Sequence, residues 1–161
     1  MPQLRHLNLS YNQLRDIPSL FGELSSLETL VLVNNQLQGE FSLPENLTGL
    51  TTLDVRKNQL TGISVVNSMP NLEVLRCDQN LLSSAAFGTN HFLRLTLSRT
   101  SLVEFSAQSL PNLTELNLAD CSIQSLTTLF LKKTPNLIAL KLSNNQPGIS
   151  SQAFSIPSLT P

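Results

Sequence analysis

One spacing of apolar residues recurs seven times along this chain of 161 residues. In the first copy, Leu4, Leu7 and Leu9 are followed by Asn12 and Leu14. Each copy begins at an apolar residue, and the seven starting residues are Leu4, Leu27, Leu50, Leu72, Phe92, Leu113 and Leu137. At separations of 20–24 residues, each unit has to bury its apolar face against its neighbours. The spacing therefore predicts a solenoid whose core grows along one axis.

This spacing resembles that of the leucine-rich repeat, and the resemblance covers nearly the whole chain. It implies an α/β repeat solenoid of about seven repeats. A curved parallel β-sheet is expected on the concave side, with short helices, 3-10 segments or irregular chain on the convex side. Repeats four and five are short, so their return arms are expected to be tight turns or 3-10 segments. Repeat six, in contrast, has room for about two helical turns.

Residues 1–161 are expected to form a single domain with an irregular tail at 148–161. Apolar repeat residues lie close to both ends of the array: Leu4, Leu7, Leu9, Leu137, Leu140 and Leu142. A terminal repeat needs a polar or covering outer face to shield the core, and neither end supplies one. We therefore expect a piece excised from a longer array, which self-associates or frays through its open ends when isolated.

The ninth position of each repeat carries a polar residue. The column reads Asn12, Asn35, Asn58, Asn80, Thr100, Cys121 and Asn145. A side-chain amide at such a position is able to satisfy backbone groups of its own turn and of the neighbouring coil. The column predicts a buried ladder, which Thr100 and Cys121 continue through a hydroxyl and a thiol donor. Asn144, one position earlier, is expected to face outward and to tolerate replacement.

Composition excludes several classes of protein. The net charge of −1 argues against a nucleic-acid-binding protein, which normally has a concentrated basic excess. The longest apolar run is too short to span a membrane. Two repeats separate Cys77 from Cys121, roughly 10 Å at the spacing of β-strands, so a disulfide between them is not expected. Both cysteines are expected to be structural thiols, and cysteine-rich caps are absent from the sequence, which favours a cytoplasmic over an extracellular location. The glycosylation triplets at Asn8, Asn46 and Asn112 are weak evidence for secretion.

The sequence gives no sign of catalysis or of a cofactor. The two histidines, His6 and His91, belong to distant repeats, and no metal-ligand spacing, phosphate-binding loop or nucleophile elbow occurs. Asp54 and Asp78 face outward on adjacent predicted strands. We expect each aspartate to pair with an arginine of the neighbouring strand, Asp54 with Arg76 and Asp78 with Arg56, rather than to act as catalytic carboxylates.

The outward positions of the strands carry a charged centre. We predict a partner-binding or ligand-binding site composed of Asp54, Arg56, Arg76, Asp78, Arg94, Thr96, Arg99 and Asn117. Apolar residues, Val31 and Val33 on one side and Leu93 on the other, flank these charges, which is typical of an interface. A lattice of solvated, mutually paired charges is the alternative for any single residue of the set.

Three stretches suggest a narrower resemblance. Residues 72–80 read LEVLRCDQN, residues 93–102 form a short repeat that lacks the ladder asparagine, and residues 110–123 read LPNLTELNLADCSI. This order resembles the leucine-rich-repeat region of fungal adenylate cyclases. In that family the repeats lie upstream of the cyclase domain and are associated with Ras and with the sensing of bacterial peptidoglycan fragments.

Together these patterns predict a non-catalytic recognition module of a larger signalling protein, with a protein partner on the concave face. The resemblance implies a Ras-type regulator as that partner and the synthesis of cyclic AMP as the role of the parent protein. Two alternatives stay open. The concave arginines could bind a small anionic ligand such as a muramyl peptide, or the repeats could serve only as a spacer within a larger enzyme.

Overall fold

A computed structural model describes residues 3–124, 126, 133–147 and 149. The predicted tail at 148–161 and the helix expected in repeat six therefore lie largely outside the described residues. Within the tail, Ile149 is described and is buried against the core. None of the helices in the described ranges is long and apolar enough to cross a membrane.

The concave side is one parallel sheet of seven short strands, which delimit six turns of a solenoid. The strands are β1 (His6–Asn8), β2 (Thr29–Val31), β4 (Thr52–Asp54), β6 (Val74–Arg76), β8 (Arg94–Thr96), β10 (Glu115–Asn117) and β11 (Ala139–Lys141), paired in that order. Their register aligns the central leucines of successive repeats, for example Leu53 with Leu75 and Leu75 with Leu95. The predicted repeat solenoid and its concave parallel sheet are confirmed.

The convex side of the described chain consists of short strands and 3-10 segments. Strand β3 (Gln38–Glu40) pairs with β5 (Gln59–Gly62), and β7 (Ser84–Thr89) pairs with β9 (Glu104–Ser109). The 3-10 segments are Ser19–Glu23 and Ser64–Ser68.

The return arms of repeats four and five are the strands β7 and β9, so the expectation of tight turns or 3-10 segments there was wrong. A strand advances about 3.3 Å per residue and a helix about 1.5 Å, so a short repeat closes its turn more easily with extended chain. Alternation of buried and exposed residues supports the strand form, since Ala85 and Phe87 are buried in β7, and Phe105 and Ala107 are buried in β9.

The predicted ladder is present, and Asn58 shows how it works. Its amide nitrogen donates to the carbonyl of Leu32 in the preceding repeat at 2.9 Å and to that of Val55 in its own repeat at 3.0 Å. Its amide oxygen accepts the backbone N–H of Leu37 at 3.1 Å. One side chain thus satisfies buried backbone groups of two repeats. Thr100 has a single hydroxyl and donates it to the carbonyl of Leu97 at 2.8 Å.

The residue before each ladder position has a left-handed backbone. Values of φ between 54° and 58° occur at Tyr11, Asn34, Lys57, Gln79, Arg99, Asp120 and Asn144. This conformation turns the chain away from the sheet and directs the eighth side chain of each repeat outward. Asn144 is exposed as expected, but its φ of 56° means that many replacements there would be strained.

Candidate interaction surface

A groove of about 500 Å³ lies on the concave face at the carboxyl ends of the strands. Its lining residues come from the fifth, seventh and eighth positions of repeats one to seven: Tyr11, Val33, Arg56, Lys57, Arg76, Asp78, Gln79, Thr96, Ser98, Arg99, Asn117, Ala119, Asp120 and Lys141. Five of these side chains are basic and two are acidic, although the chain as a whole has a net charge of −1. The groove is therefore a positively charged region of a slightly acidic protein.

Six of the eight predicted site residues line this groove: Arg56, Arg76, Asp78, Thr96, Arg99 and Asn117. The other two do not. Asp54 is only 3% exposed and lies beneath the arginines. Arg94 stands at the opposite end of its strand, in the register column that contains Val74 and Glu115.

Asp54 is a buried anion shared by two arginines. Arg56 of the same repeat holds it with two short hydrogen bonds, Nε to Oδ1 at 2.8 Å and Nη2 to Oδ2 at 2.7 Å. Nη1 of Arg76, in the next repeat, is 3.8 Å from Oδ2. The three side chains carry one excess positive charge, and Arg76, whose side chain is 41% exposed, presents it to the groove.

The hydrogen bond from Arg56 to Asp54 and the charge of that carboxylate raise the pKa of Arg56, against the opposing effect of burial. The guanidinium is therefore a cation at neutral pH. Because two nitrogens of Arg56 are bound to one carboxylate, its orientation is fixed, and the cation is held in place before any ligand arrives.

Asp78 does not form the predicted pair with Arg56. Its Oδ1 accepts the backbone N–H of Ser98 at 2.8 Å and the Ser98 hydroxyl at 2.6 Å, while its Oδ2 accepts the Thr96 hydroxyl at 2.5 Å. The carboxylate therefore joins repeat four to repeat five. It leaves the guanidinium of Arg56 to Asp54, which is two residues away on the same side of the strand.

The remaining predicted residues are held more loosely. Arg94 lies 3.7 Å from the carboxylate of Glu115, which also contacts Lys141 at 3.4 Å. Nε of Arg99 lies 3.6 Å from Asp120 at the carboxyl end of the groove. These exposed pairs are solvated and weak, so the cations at Arg99 and Lys141 are accessible.

Asn117 accepts the backbone N–H of Ala119 at 3.1 Å. Its amide group is thus tied to the turn that follows its strand.

Eight lining residues were absent from the predicted site: Tyr11, Val33, Lys57, Gln79, Ser98, Ala119, Asp120 and Lys141. Four of them, Tyr11, Lys57, Gln79 and Asp120, occupy the eighth position, whose left-handed backbone aims the side chain toward the groove. In the sequence these four are recognisable because each immediately precedes a ladder position. Lys141 belongs to the fifth column, in register with Asn117.

No cluster of three or more His, Cys, Asp or Glu side chains in the described ranges could hold a metal ion. Cys77 and Cys121 are free thiols. Complete burial raises the pKa of Cys77 well above its ordinary value, so its thiol stays protonated. Nδ1 of His91 lies 3.5 Å from the amide of Asn112 on the amino side of the sheet, away from the groove.

The strand spacing, the asparagine ladder and the concave sheet define a leucine-rich-repeat protein. Family models agree. A model of leucine rich repeats in two copies matches residues 2–45, 25–64 and 48–87, and a second leucine rich repeat model matches residues 109–129. The chain belongs to the leucine-rich-repeat family.

Among curated proteins, the chain is similar to the adenylate cyclase of Podospora anserina, with 37% identity over 147 residues. The match covers 90% of this chain and 7% of that protein, so the chain corresponds to a small part of a large cyclase. The resemblance to fungal adenylate cyclases is thereby confirmed.

Two solved structures share the fold at 26% identity. The leucine-rich repeat domain of APL1B matches with a TM-score of 0.80 over 90% of this chain and 42% of its own. The LRIM1/APL1C complex matches with a TM-score of 0.77 over 90% of this chain and 27% of the matched chain.

Proposed function

We propose that this chain is a non-catalytic recognition module of a larger, cytoplasmic signalling protein of the adenylate cyclase type, and that its concave groove binds a protein partner. The observation that carries the proposal is the accumulation of cations in the groove, where five basic side chains face two acidic ones. An acidic patch on a partner complements such a surface and accelerates association.

The arrangement of the charges supports binding over self-neutralisation. Asp54 is buried under Arg56 and Arg76, so the anion is hidden while the cations face the groove. Asp78 is occupied by three donors from the next repeat. Arg56, which is held in place by Asp54, loses little conformational entropy when a partner binds, which leaves more of the interaction energy for affinity.

The partner that the family resemblance suggests is a Ras-type GTPase, and it is the first probe to use. Isothermal titration calorimetry measures the affinity directly. The purified chain is titrated with such a GTPase, once in its nucleoside diphosphate form and once in its nucleoside triphosphate form. A protein partner predicts saturable binding to one of these two forms.

The site is tested with arginine variants of the same chain. Arg76→Ala combined with Arg99→Ala should weaken partner binding at least tenfold, and the difference should shrink at high salt because screening weakens exposed charge interactions. Arg5→Ala combined with Arg15→Ala is the matched control, since both arginines lie outside the groove. Arg94→Ala should have an intermediate or negligible effect. If the control pair weakens binding and the groove pair does not, the partner contacts a different surface.

A small anionic ligand is the second candidate. The half-exposed guanidinium of Arg76, with only a 3.8 Å contact to Asp54, is suited to a carboxylate or phosphate. Titration with muramyl dipeptide distinguishes the two functions. Binding of that compound but not of the GTPase would replace the first proposal, and binding of neither would favour a structural spacer.

The cytoplasmic location rests on the two free thiols and on the similarity to a cyclase. Asn8, Asn46 and Asn112 provide its test, because they are the asparagines of the three glycosylation triplets. The mass of the parent protein purified from its native cells should not change on enzymatic deglycosylation. A decrease would place these repeats in a secretory compartment.

A further inference from the structure

The groove has two chemically different halves. At the end formed by repeats one and two it is lined by Tyr11, which is 73% exposed, and by Val33, which is nearly covered. From repeat three onward its side chains are mainly charged or polar. The backbone N–H of Tyr11 donates to the carbonyl of Val33 at 2.8 Å, so the main chain that carries the two side chains is fixed.

The halves are separated by a defined distance. Tyr11 follows β1 and Arg76 ends β6, and these strands are three strand spacings apart in the sheet, roughly 14 Å. An extended peptide covers that distance in about four residues. Because successive side chains of an extended peptide point to opposite faces, an apolar side chain and a carboxylate four residues apart face the same way and would reach both halves at once.

The fixed anions determine where negative groups are accepted. Asp78 and Asp120 both line the groove and repel a carboxylate placed directly above them. Favourable positions lie over Arg56 and Arg76 in repeats three and four and near Arg99 in repeat five. The hydroxyls of Thr96 and Ser98 already donate to Asp78, so guanidinium and ammonium groups are the main donors.

We infer that the groove binds an extended acidic segment of the partner protein, which places one apolar side chain against Tyr11 and Val33 and a carboxylate about four residues away on Arg76. This inference rests on the proposed function and specifies the chemistry of the partner. Exposed tyrosine and arginine are the residue types that most often dominate the energy of an interface.

The test uses synthetic peptides in place of the unidentified partner. The probe is a fluorescein-labelled peptide with the core Leu-Ser-Ala-Glu-Glu, used together with the reversed core because the direction of the chain is open. One control replaces the leucine with serine, a second replaces both glutamates with glutamine, and a third separates the leucine from the glutamates by three additional residues. Fluorescence anisotropy with the intact chain gives each affinity.

Two variants of the protein locate the contacts. Tyr11→Ala should weaken the leucine-containing peptide at least fivefold and leave the serine peptide unchanged, whereas Arg76→Ala should weaken both. Leu20→Ala, which removes an exposed apolar side chain from a convex 3-10 segment, is the control and should change neither. Far-ultraviolet circular dichroism checks that each variant is folded.

Equal affinity for the original and the lengthened peptide would overturn the inference, as would equal effects of Tyr11→Ala and Leu20→Ala. Absence of binding by both peptide directions at millimolar concentration would also overturn it. These failures are distinct from a failure of the proposed function. A GTPase that needs Arg76 but not Tyr11 would refute the two-part segment while leaving recognition through the groove intact.

Discussion

The two arginines that contact Asp54 should differ sharply in their importance for stability. Arg56 binds the carboxylate through two short hydrogen bonds, at 2.7 and 2.8 Å, and Arg76 approaches it to 3.8 Å. Arg56→Ala would leave a carboxylate that is 3% exposed with a backbone N–H at 3.3 Å and the distant Arg76. Arg76→Ala leaves the bidentate pair complete.

The magnitudes follow from burial. Breaking a buried ion pair on one side destabilises a protein by about 3–5 kcal/mol, because the surviving charge is uncompensated. Arg76 and the backbone N–H offset part of this loss, so about 3 kcal/mol is expected for Arg56→Ala. The long, half-exposed contact of Arg76 should contribute about 0–1 kcal/mol. Replacing the anion as well, in the double variant Arg56→Ala with Asp54→Asn, should recover about 2 kcal/mol of the loss.

Urea denaturation, monitored by circular dichroism, measures the free energies of unfolding of the unchanged chain and of the three variants. Comparable slopes for the variants would show that the same transition is observed. The reasoning is refuted if Arg56→Ala and Arg76→Ala destabilise the chain equally, or if removing Asp54 from the Arg56→Ala background recovers nothing. Either outcome would mean that the carboxylate is not held as a buried anion.

Three further predictions concern the scaffold. In urea denaturation, Asn58→Leu should destabilise the chain by about 3 kcal/mol, because three buried backbone groups lose hydrogen bonds worth about 1 kcal/mol each. Asn12→Leu, at an exposed end of the ladder, should cost less than about 1 kcal/mol. Equal losses for the two variants would refute the ladder. Because burial raises the pKa of Cys77, a thiol reagent should label the other cysteine and leave Cys77 unmodified until the chain unfolds, as mass spectrometry would show. A methyl group at Gly62 would meet the Glu40 carboxylate. Gly62→Ala and Glu40→Ala should therefore each cost about 1 kcal/mol, and the double variant should cost no more than either single variant. Additive losses in urea denaturation would count against a contact between residue 62 and the Glu40 carboxylate.

The fold was predictable because the same apolar spacing recurs in all seven repeats and each copy indicates the same strand and turn. A leucine at the fourth position faces inward in each repeat, and a slip by one residue would move every side chain of a strand to the opposite face. The convex side carries no such redundancy. The return arms of repeats four and five became strands because their length and the alternation around Phe87 and Phe105 favour extended chain, and both signals are local.

The sequence predicted which residues share a register column of the sheet, but not which side chains bind each other. Register places Asp54 beside Arg76, which the spacing predicts. Which arginine binds the carboxylate depends on side-chain directions, and there the neighbour two residues along the strand, Arg56, prevails over the neighbour across it. Asp78 likewise bonds the hydroxyls of repeat five, because Thr96 and Ser98 are shorter and reach its oxygens without losing much rotamer entropy.

Left-handed residues link the scaffold to the groove. A non-glycine residue with positive φ is unfavourable by about 1–2 kcal/mol, yet the chain adopts this conformation before every ladder position. The ladder compensates for that strain, because the turn brings the next side chain inward to bond two repeats. The same turn directs Tyr11, Lys57 and Arg99 toward the groove. An exposed residue at this position is therefore able to vary among side chains that tolerate a positive φ while its direction stays fixed, and partner specificity is able to change without loss of the solenoid.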